Sequence, residues 1–530
     1  MKEGFRQSMA WLHTWSGLLV GWLLFMIFAA GTATYFRQEI TQWMQPELLQ
    51  AQPGPQATTH ALNALREKAP KANRWSIELP TPREPAVRIG WVESPASSAK
   101  NARGRFKTEF LDPATGAELK ARETRGGEFF YRLHFDLHYM PAVWARWIVG
   151  FCAMFMLVAI VSGVITHKRI FKDFFTFRPE KNQRSWLDAH NATGVLALPF
   201  HLMITYSGLI TLMTLYMPWG VMTAYQGDQK AFTAEVFPQT KTPKPTGRPG
   251  TLTAVEPLLA QARARWGVAP GHVTVVNPMD AGAVIEVRPV DERRISLNGP
   301  VMTFKGDTGA LLSVRGDDAP AAATRGVIYG LHVARFAEPW LRALFFVSGL
   351  AGCAMVATGL LLWAVKERQK HAKQIRHGLP IGLGLRLVDG LNIGAIAGVP
   401  IAMASYFWAN RLLPLGLPDR QEAEITCFFA AWGVAAVLGL ARSTRGMWRW
   451  QLMVGAALFA LLPLLNAFTT YAHLGVTLAA GRWAFAGFDL TVLALGLGLA
   501  TAAWVLQRHG GKAIRKARSS KAKHPVAAGA

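Results

Sequence analysis

Two histidines, His13 and His190, each open a long apolar run and carry glycines at the same intervals. Gly17 and Gly31 follow the first and Gly194 and Gly208 the second, at 4 and 18 residues in both cases. A second pair repeats in the same manner. Tyr131-Arg132-Leu133-His134 is followed by Pro141, and Tyr329-Gly330-Leu331-His332 by Pro339, seven residues past the histidine each time. Neutral imidazole is a ligand for haem iron and for other transition metals. Histidines repeated in register at the boundaries of apolar segments point to a metal or haem held by a duplicated unit.

Those histidines need membrane elements to position them. Eight apolar stretches reach the roughly 17–25 residues that cross a bilayer: 15–36, 147–166, 194–215, 343–363, 391–409, 425–441, 452–470 and 483–506. The first has Lys2 and Arg6 ahead of it but too long an apolar core and no small-residue cleavage site, so it reads as an anchor. Outer segments of about 100 residues separate spans one and two, and again three and four. Each reads as a small α/β domain: a helix at 60–69, strands at 74–79, 86–92 and 105–111; then a helix at 252–266, strands at 272–276, 283–290 and 301–304. Both end on Thr-Gly-Ala, at Thr115 and Thr308, and both are tethered by proline-rich linkers.

The fold class is therefore a polytopic α-helical membrane protein, with two small α/β domains inserted in a duplicated helix–domain–helix unit. The expected divisions are a first span in 1–37, an outer domain in 38–140, spans in 141–167 and 186–217, a second outer domain in 218–335, and a span in 339–366. A bundle of four further spans follows in 385–507 and a basic tail in 508–530. The last four spans carry no copy of the histidine pattern.

The net charge of +24 sits in alternate connections. Lys168, Arg169, Lys172, Arg178, Lys181 and Arg184 fill one, and Lys366, Arg368, Lys370, Lys373 and Arg376 a second. Arg442, Arg445 and Arg449 fill a third, and the tail holds seven more. That alternation follows the positive-inside rule, with both termini cytoplasmic and the outer domains periplasmic. The partner of this charge is the lipid bilayer, not nucleic acid. Cys152, Cys353 and Cys427 all fall within spans and form no Cys-x-x-Cys site and no c-type attachment motif, so any haem is held non-covalently. No dinucleotide or Walker-type glycine loop opens a βαβ unit. Electrons must come from a separate donor, a quinol or a cytoplasmic reductase.

By depth, His13, His167 and His190 lie at the cytoplasmic boundary, His134, His138 and His332 at the outer one, and His201 inward of these. His190 and His201 are 11 residues apart, which on a straight helix returns them to one face within about 20° and separates them by about 16 Å. The third span is thus expected to act as a spine for two stacked haems. The repeat pairs His13 with His190 at the inner site. At the outer site His201 is the most committed ligand, because an unpaired polar group there is expensive; its partner is His134, His138 or His332. Gly17, Gly163 and Gly194, each one turn from a candidate ligand, leave room for a flat macrocycle.

These segments resemble the PepSY-associated transmembrane family, which includes iron-regulated inner-membrane proteins and ferrisiderophore reductases. The resemblance rests on Leu12-His13-Thr14-Trp15-Ser16-Gly17, on Thr166-His167-Lys168-Arg169, and on Asp188-Ala189-His190-Asn191 with Leu198-Pro199-Phe200-His201, and covers about the first 370 residues. It implies PepSY-like outer domains, a four-helix core carrying b-type haem on such histidines, and a ferric-siderophore substrate. The expected function is an oxidoreductase of the bacterial inner membrane: two bis-histidine haems b carry electrons outward to a ferric siderophore and release Fe²⁺. The alternative is a membrane-anchored PepSY-domain regulator, a protease inhibitor or sensor with structural histidines. A cation transporter fits less well, since the spans of the first unit carry almost no acidic residue.

Overall fold

The computed structural model describes residues 4–92, 106–167, 170, 178, 183–236, 243–290, 294–316, 320–373, 377 and 379–522, with 509–522 described as backbone only. Lys168, Arg169, Lys172, Lys181, Arg376, Lys523 and His524 lie outside the described residues, as do the side chains of the rest of the tail. Among the described residues, seven helices are long and apolar enough to cross a membrane: Phe5–Thr34, Ala142–Thr166, Pro339–Lys370, Leu383–Leu412, Arg420–Ala441, Arg445–Thr469 and Trp483–Arg508. The bent pair Gln183–Leu196 with Leu198–Thr211 meets the same test when its halves are taken as one span, which makes eight. We number the eight in chain order. Trp11, Trp144 and Trp340 near the span ends are exposed, as expected of an interfacial aromatic belt.

The third span departs from the straight spine expected of it. Its halves meet at 67°, and the cause is local. Pro199 has no N–H and its ring would clash with the carbonyl of Val195, so the helix cannot run through. A new helix begins instead, with Pro199 in its first turn and the Ala197 carbonyl accepting from the His201 N–H at 2.8 Å. The same-face relation between His190 and His201 is lost with the bend.

Spans one, two and four and the bent third span pack together as a four-helix core. Span one packs on two and four, the first half of span three on four, and its second half on two. Two short helices sit at the far end of this core. Gly127–Asp136 packs against span one, and Pro320–Val333 against Leu198–Thr211.

Beyond these helices the two outer segments do not stand apart. Their strands are β1 Arg74–Glu78, β2 Val87–Val92, β3 Phe106–Leu111 and β4 Glu118–Leu119, then β5 Pro270–Val276, β6 Val284–Pro289, β7 Val301–Lys305 and β8 Leu311–Arg315. They form one antiparallel sheet ordered β4-β3-β2-β1-β5-β6-β7-β8. The equivalent first strands pair with each other, Trp75 opposite Val275 and Ile77 opposite Val273, all four fully buried. Alternation accounts for the two faces. Trp75, Ile77, Val87, Ile89, Val273, Val275, Ile285 and Val287 point to one side, where helices Ala57–Lys68 and Glu256–Trp266 cover them. The other side presents Arg88, Glu78, His272 and Arg288 in a single cross-strand row. Joining the edges removes two open strand edges that would otherwise invite aggregation.

The last four spans are joined to the core, not separate from it. Trp22 Nε1 donates to Asn392 Oδ1 at 2.8 Å. Trp43, in the helix Arg37–Met44 that follows span one, donates to Asp489 Oδ1 at 2.9 Å and lies under the Arg411 guanidinium, 3.7 Å from its ring centre. Arg411 also bonds Asn466, Asn410 and the Trp43 carbonyl. Alongside, the fully buried Arg420 pairs with Glu424 one turn on, and Glu424 accepts from Thr124 and Asn410. Each charge in this region has a partner, as burial in an apolar setting requires. The fifth span carries a π-helical stretch, Ile393–Ala397, whose Gly394 carbonyl accepts from Trp432.

Candidate functional site

The four-helix core brings four histidines together as two pairs. The rings of His13 and His190 have their centres 6.0 Å apart, and so do those of His134 and His332. Each ring is set by the same device. His13 Nδ1 lies 2.8 Å from the Ala159 carbonyl and its ring rests on Gly163. His190 Nδ1 lies 2.9 Å from the Met355 carbonyl, with the ring on Gly359. His134 Nδ1 lies 2.8 Å from the Ile27 carbonyl, with the ring on Gly31. His332 rests on Gly208, with Ile204 four residues ahead as its carbonyl partner and Ser207 Oγ at 3.0 Å.

In every case the accepting carbonyl stands one turn before the glycine, on a neighbouring helix. A Cβ on Gly31 would fall 2.6 Å from the His134 ring, and one on Gly163, Gly208 or Gly359 3.0–3.1 Å from its histidine. The glycines are the seats that let the imidazoles approach the helix backbone. The carbonyls fix the tautomer: Nδ1 carries the proton and donates it, so the Nε2 lone pair is left for a metal. Burial holds His134 and His332 well below the usual histidine range, the latter at about 3, so both stay neutral.

Two imidazoles gripping one metal from opposite sides, with metal–nitrogen bonds of roughly 2 Å, have ring centres roughly 6 Å apart. The two pairs match that span. Among the described residues no cluster of three or more His, Cys, Asp or Glu side chains could hold a bare ion. Sites of two ligands each suit an iron whose other positions are filled by a macrocycle, and not a structural zinc, which wants four.

The other sequence candidates fall outside these pairs. His201 is fully buried, edge-on to Phe28 and Phe200 at about 6 Å. The Ser348 and Gly194 backbone groups are near, yet neither ring nitrogen has a hydrogen bond of normal geometry. It therefore has no histidine partner, and the outer pairing of His201 with His134, His138 or His332 is replaced by His134 with His332. His167, at the end of span two, accepts from Asn191 Nδ2 at 2.8 Å. His138 sits in a left-handed turn, 3.3 Å from Glu422 of span six. Of the glycines, Gly163 lies against a ring as expected, while Gly194 meets Met355 and Gly17 has open space. The seats that sequence reasoning missed were visible in the repeat itself: Gly31 and Gly208 are the residues 18 positions beyond His13 and His190.

The outer pair opens into a cavity of about 630 Å³ between the core and the sheet. Tyr131 and Tyr329, each three residues ahead of a paired histidine, line it together with Arg37, Arg335 and Arg342. The sheet closes its far side with the row Arg88, Glu78, His272 and Arg288. The place of His272 in this row comes from the pairing of β1 with β5. Arg342 and Arg83 grip Glu39 at 2.7 and 2.9 Å, and Arg37 pairs with Glu128 at 3.2 Å over the Tyr131 ring. The wall is rich in guanidinium groups, which recognise carboxylates and other planar anions by paired hydrogen bonds.

Comparison with known proteins agrees with the shared part of this architecture. Residues 10–366 match the model of the PepSY-associated TM region. An uncharacterized protein of Pseudomonas aeruginosa is 28% identical over 393 residues, which cover 68% of this chain and 91% of that protein. Both histidine pairs fall within the matched residues, and spans five to eight lie beyond them. The chain belongs to the family of the PepSY-associated TM region.

Proposed function

We propose that this protein is a haem-bearing reductase of the bacterial inner membrane, passing electrons across the bilayer to ferric-siderophore complexes in the periplasm. The observation that carries the reading is the pair of two-histidine sites, each with ring centres 6.0 Å apart and each with Nδ1 committed to a carbonyl or hydroxyl. We read both as axial ligand sets of haem b and the two sheet halves as PepSY-like periplasmic domains. Both termini are then cytoplasmic, and His13–His190 is the inner site.

One-electron transfer is the chemistry that haem iron supplies when bound. The residues of the chain hold and tune it. Ala159, Met355, Ile27 and Ser207 keep each imidazole in the ligating tautomer, and the four glycines allow the close approach. Apolar packing by spans one and four excludes water between the levels. The arginine-lined vestibule draws anionic complexes toward the outer site. Hard oxygen donors of a siderophore hold Fe²⁺ less strongly than Fe³⁺, so reduction releases the metal.

The test uses purified protein, reduced anaerobically with dithionite, freed of excess reductant and mixed with ferric citrate, an anionic carboxylate complex. We expect a Soret band with sharp α and β bands on reduction, then reoxidation on mixing, with Fe²⁺ captured by ferrozine. Haem bands that persist with no Fe²⁺ appearing would exclude the substrate; a preparation without haem bands would exclude the reading altogether.

A further inference from the structure

Spans five to eight lie outside the shared family region, yet one of them builds a cavity beside the inner histidine pair. At the end of span four, Trp363, Glu367 and His371 follow one another at intervals of four residues, so they share a helix face. Together with the turn from Pro380 to Leu385, where span five begins, they enclose about 210 Å³. An ion pair, Arg368 with Asp389 at 2.5 Å, clamps span five to span four at this level. The cavity exists because span five is present.

Its position is informative. Gly359, the seat of His190, is one turn from Trp363, about 5–6 Å along the helix, and two turns from Glu367. The volume is below the roughly 300–1,000 Å³ of sites that enclose a drug-sized ligand or a whole cofactor. It takes a single substituted ring, not a dinucleotide. Trp363, Pro380, Ile381 and Leu385 give the lining an apolar part, and Leu379, Leu383 and Leu387, neighbours of the lining residues in the chain, are exposed by 57, 82 and 54%, which suits a ligand arriving through lipid. Inside, two groups can take protons. Glu367 accepts from Lys370 at 2.8 Å, with lone pairs to spare. His371 Nδ1 lies 3.0 Å from the Glu367 carbonyl, and its Nε2 has no partner among the described residues.

We propose that this cavity binds the ring of a membrane quinol and is where electrons reach the inner histidine pair. The proposal rests on the haem reading above. In the step, the hydroquinone loses two electrons and two protons and becomes a quinone. A haem held by His13 and His190 would take up the two electrons one at a time, and the two protons pass to the Glu367 carboxylate and His371 Nε2 and then to water on the cytoplasmic side.

Two arms test it on the full-length protein. Anaerobic mixing with decylbenzoquinol should reduce the haem of the native protein. Glu367→Gln with His371→Asn should slow that reduction by about a hundredfold, while dithionite still reduces the same haem with the same spectrum. The second arm needs no haem. A photoreactive azidoquinone should label peptides spanning 363–385, decylquinone should compete, and Gly384→Phe should abolish labelling, because a Cβ at Gly384 has open space. Variant rates equal to the native rate, labelling elsewhere, or reduction by NADH with flavin but not by quinol would each overturn the proposal. A colourless preparation that labels at 363–385 would overturn the haem reading and leave the quinone site standing.

Discussion

Each paired histidine spends Nδ1 on a neighbouring helix and keeps Nε2 for a metal, so single substitutions should act on one site at a time. His134→Ala should remove the outer haem and leave the inner one, and His190→Ala the reverse, read from the α-band of the reduced protein. Gly31→Val keeps the ligand but pushes its ring off the seat, and should weaken haem retention at the outer site by about 10–100-fold, as loss of ligand support does elsewhere. His201→Leu should keep both haems, since that ring faces neither pair. The inner pair was legible in the sequence because His13 and His190 occupy equivalent repeat positions. The outer pair was not: depth could not choose among His134, His138 and His332, and His201 looked like a polar group in need of a metal. The fold encloses it among Phe28, Phe200 and Gly352 instead. The equal spacing to Gly31 and Gly208 is present in the sequence, but nothing local says which ring a glycine will receive.

At the scale of elements, alternation and turn residues placed six of the eight strands to within about two residues, missing the short β4 and the edge strand β8. The join of β1 to β5 was beyond reach, because pairing of two such strands is a long-range choice made by burial of Trp75, Ile77, Val273 and Val275. The break in span three was legible at Pro199, but periodicity alone read through it. One outer element carries a pH expectation. Asp280 accepts from the N–H groups of Thr246, Gly247 and Gly282, and these bonds hold its carboxyl down at about 2, against 3.8 ordinarily. A depressed carboxylate contributes stability above the ordinary value and loses it as pH falls through the folded one. The tether of 243–250 should therefore hold at pH 5 and loosen between about pH 4 and 2. Asp280→Asn should loosen it at neutral pH, seen as faster amide exchange at Thr246, Gly247 and Gly282.

At the scale of the molecule, spans five to eight are locked to the core through buried polar contacts. Composition identified these spans but could not bring Arg411 over Trp43 or Thr124 to Glu424, which meet only once the helices are assembled; Arg420 and Glu424 already lie one turn apart on span six. Glu424→Ala leaves the Arg420 guanidinium buried without its carboxylate and should cost about 3–5 kcal/mol, measured by thermal unfolding in detergent. Replacing both, Arg420→Met with Glu424→Leu, should recover most of that loss. Haem content should be untouched in the double variant, since both residues lie in the extension and away from the histidine pairs.

In the proposed function two haems are held, one by His13 with His190 and one by His134 with His332. The direct measurement is the molar ratio of haem to chain, by pyridine haemochromogen, in protein purified from haem-replete cells. We expect two haems b per chain, falling to one in His134→Ala or His190→Ala and staying at two in His201→Leu. A ratio near zero in the native protein, or a haem lost with His201 and kept without His134, would contradict it.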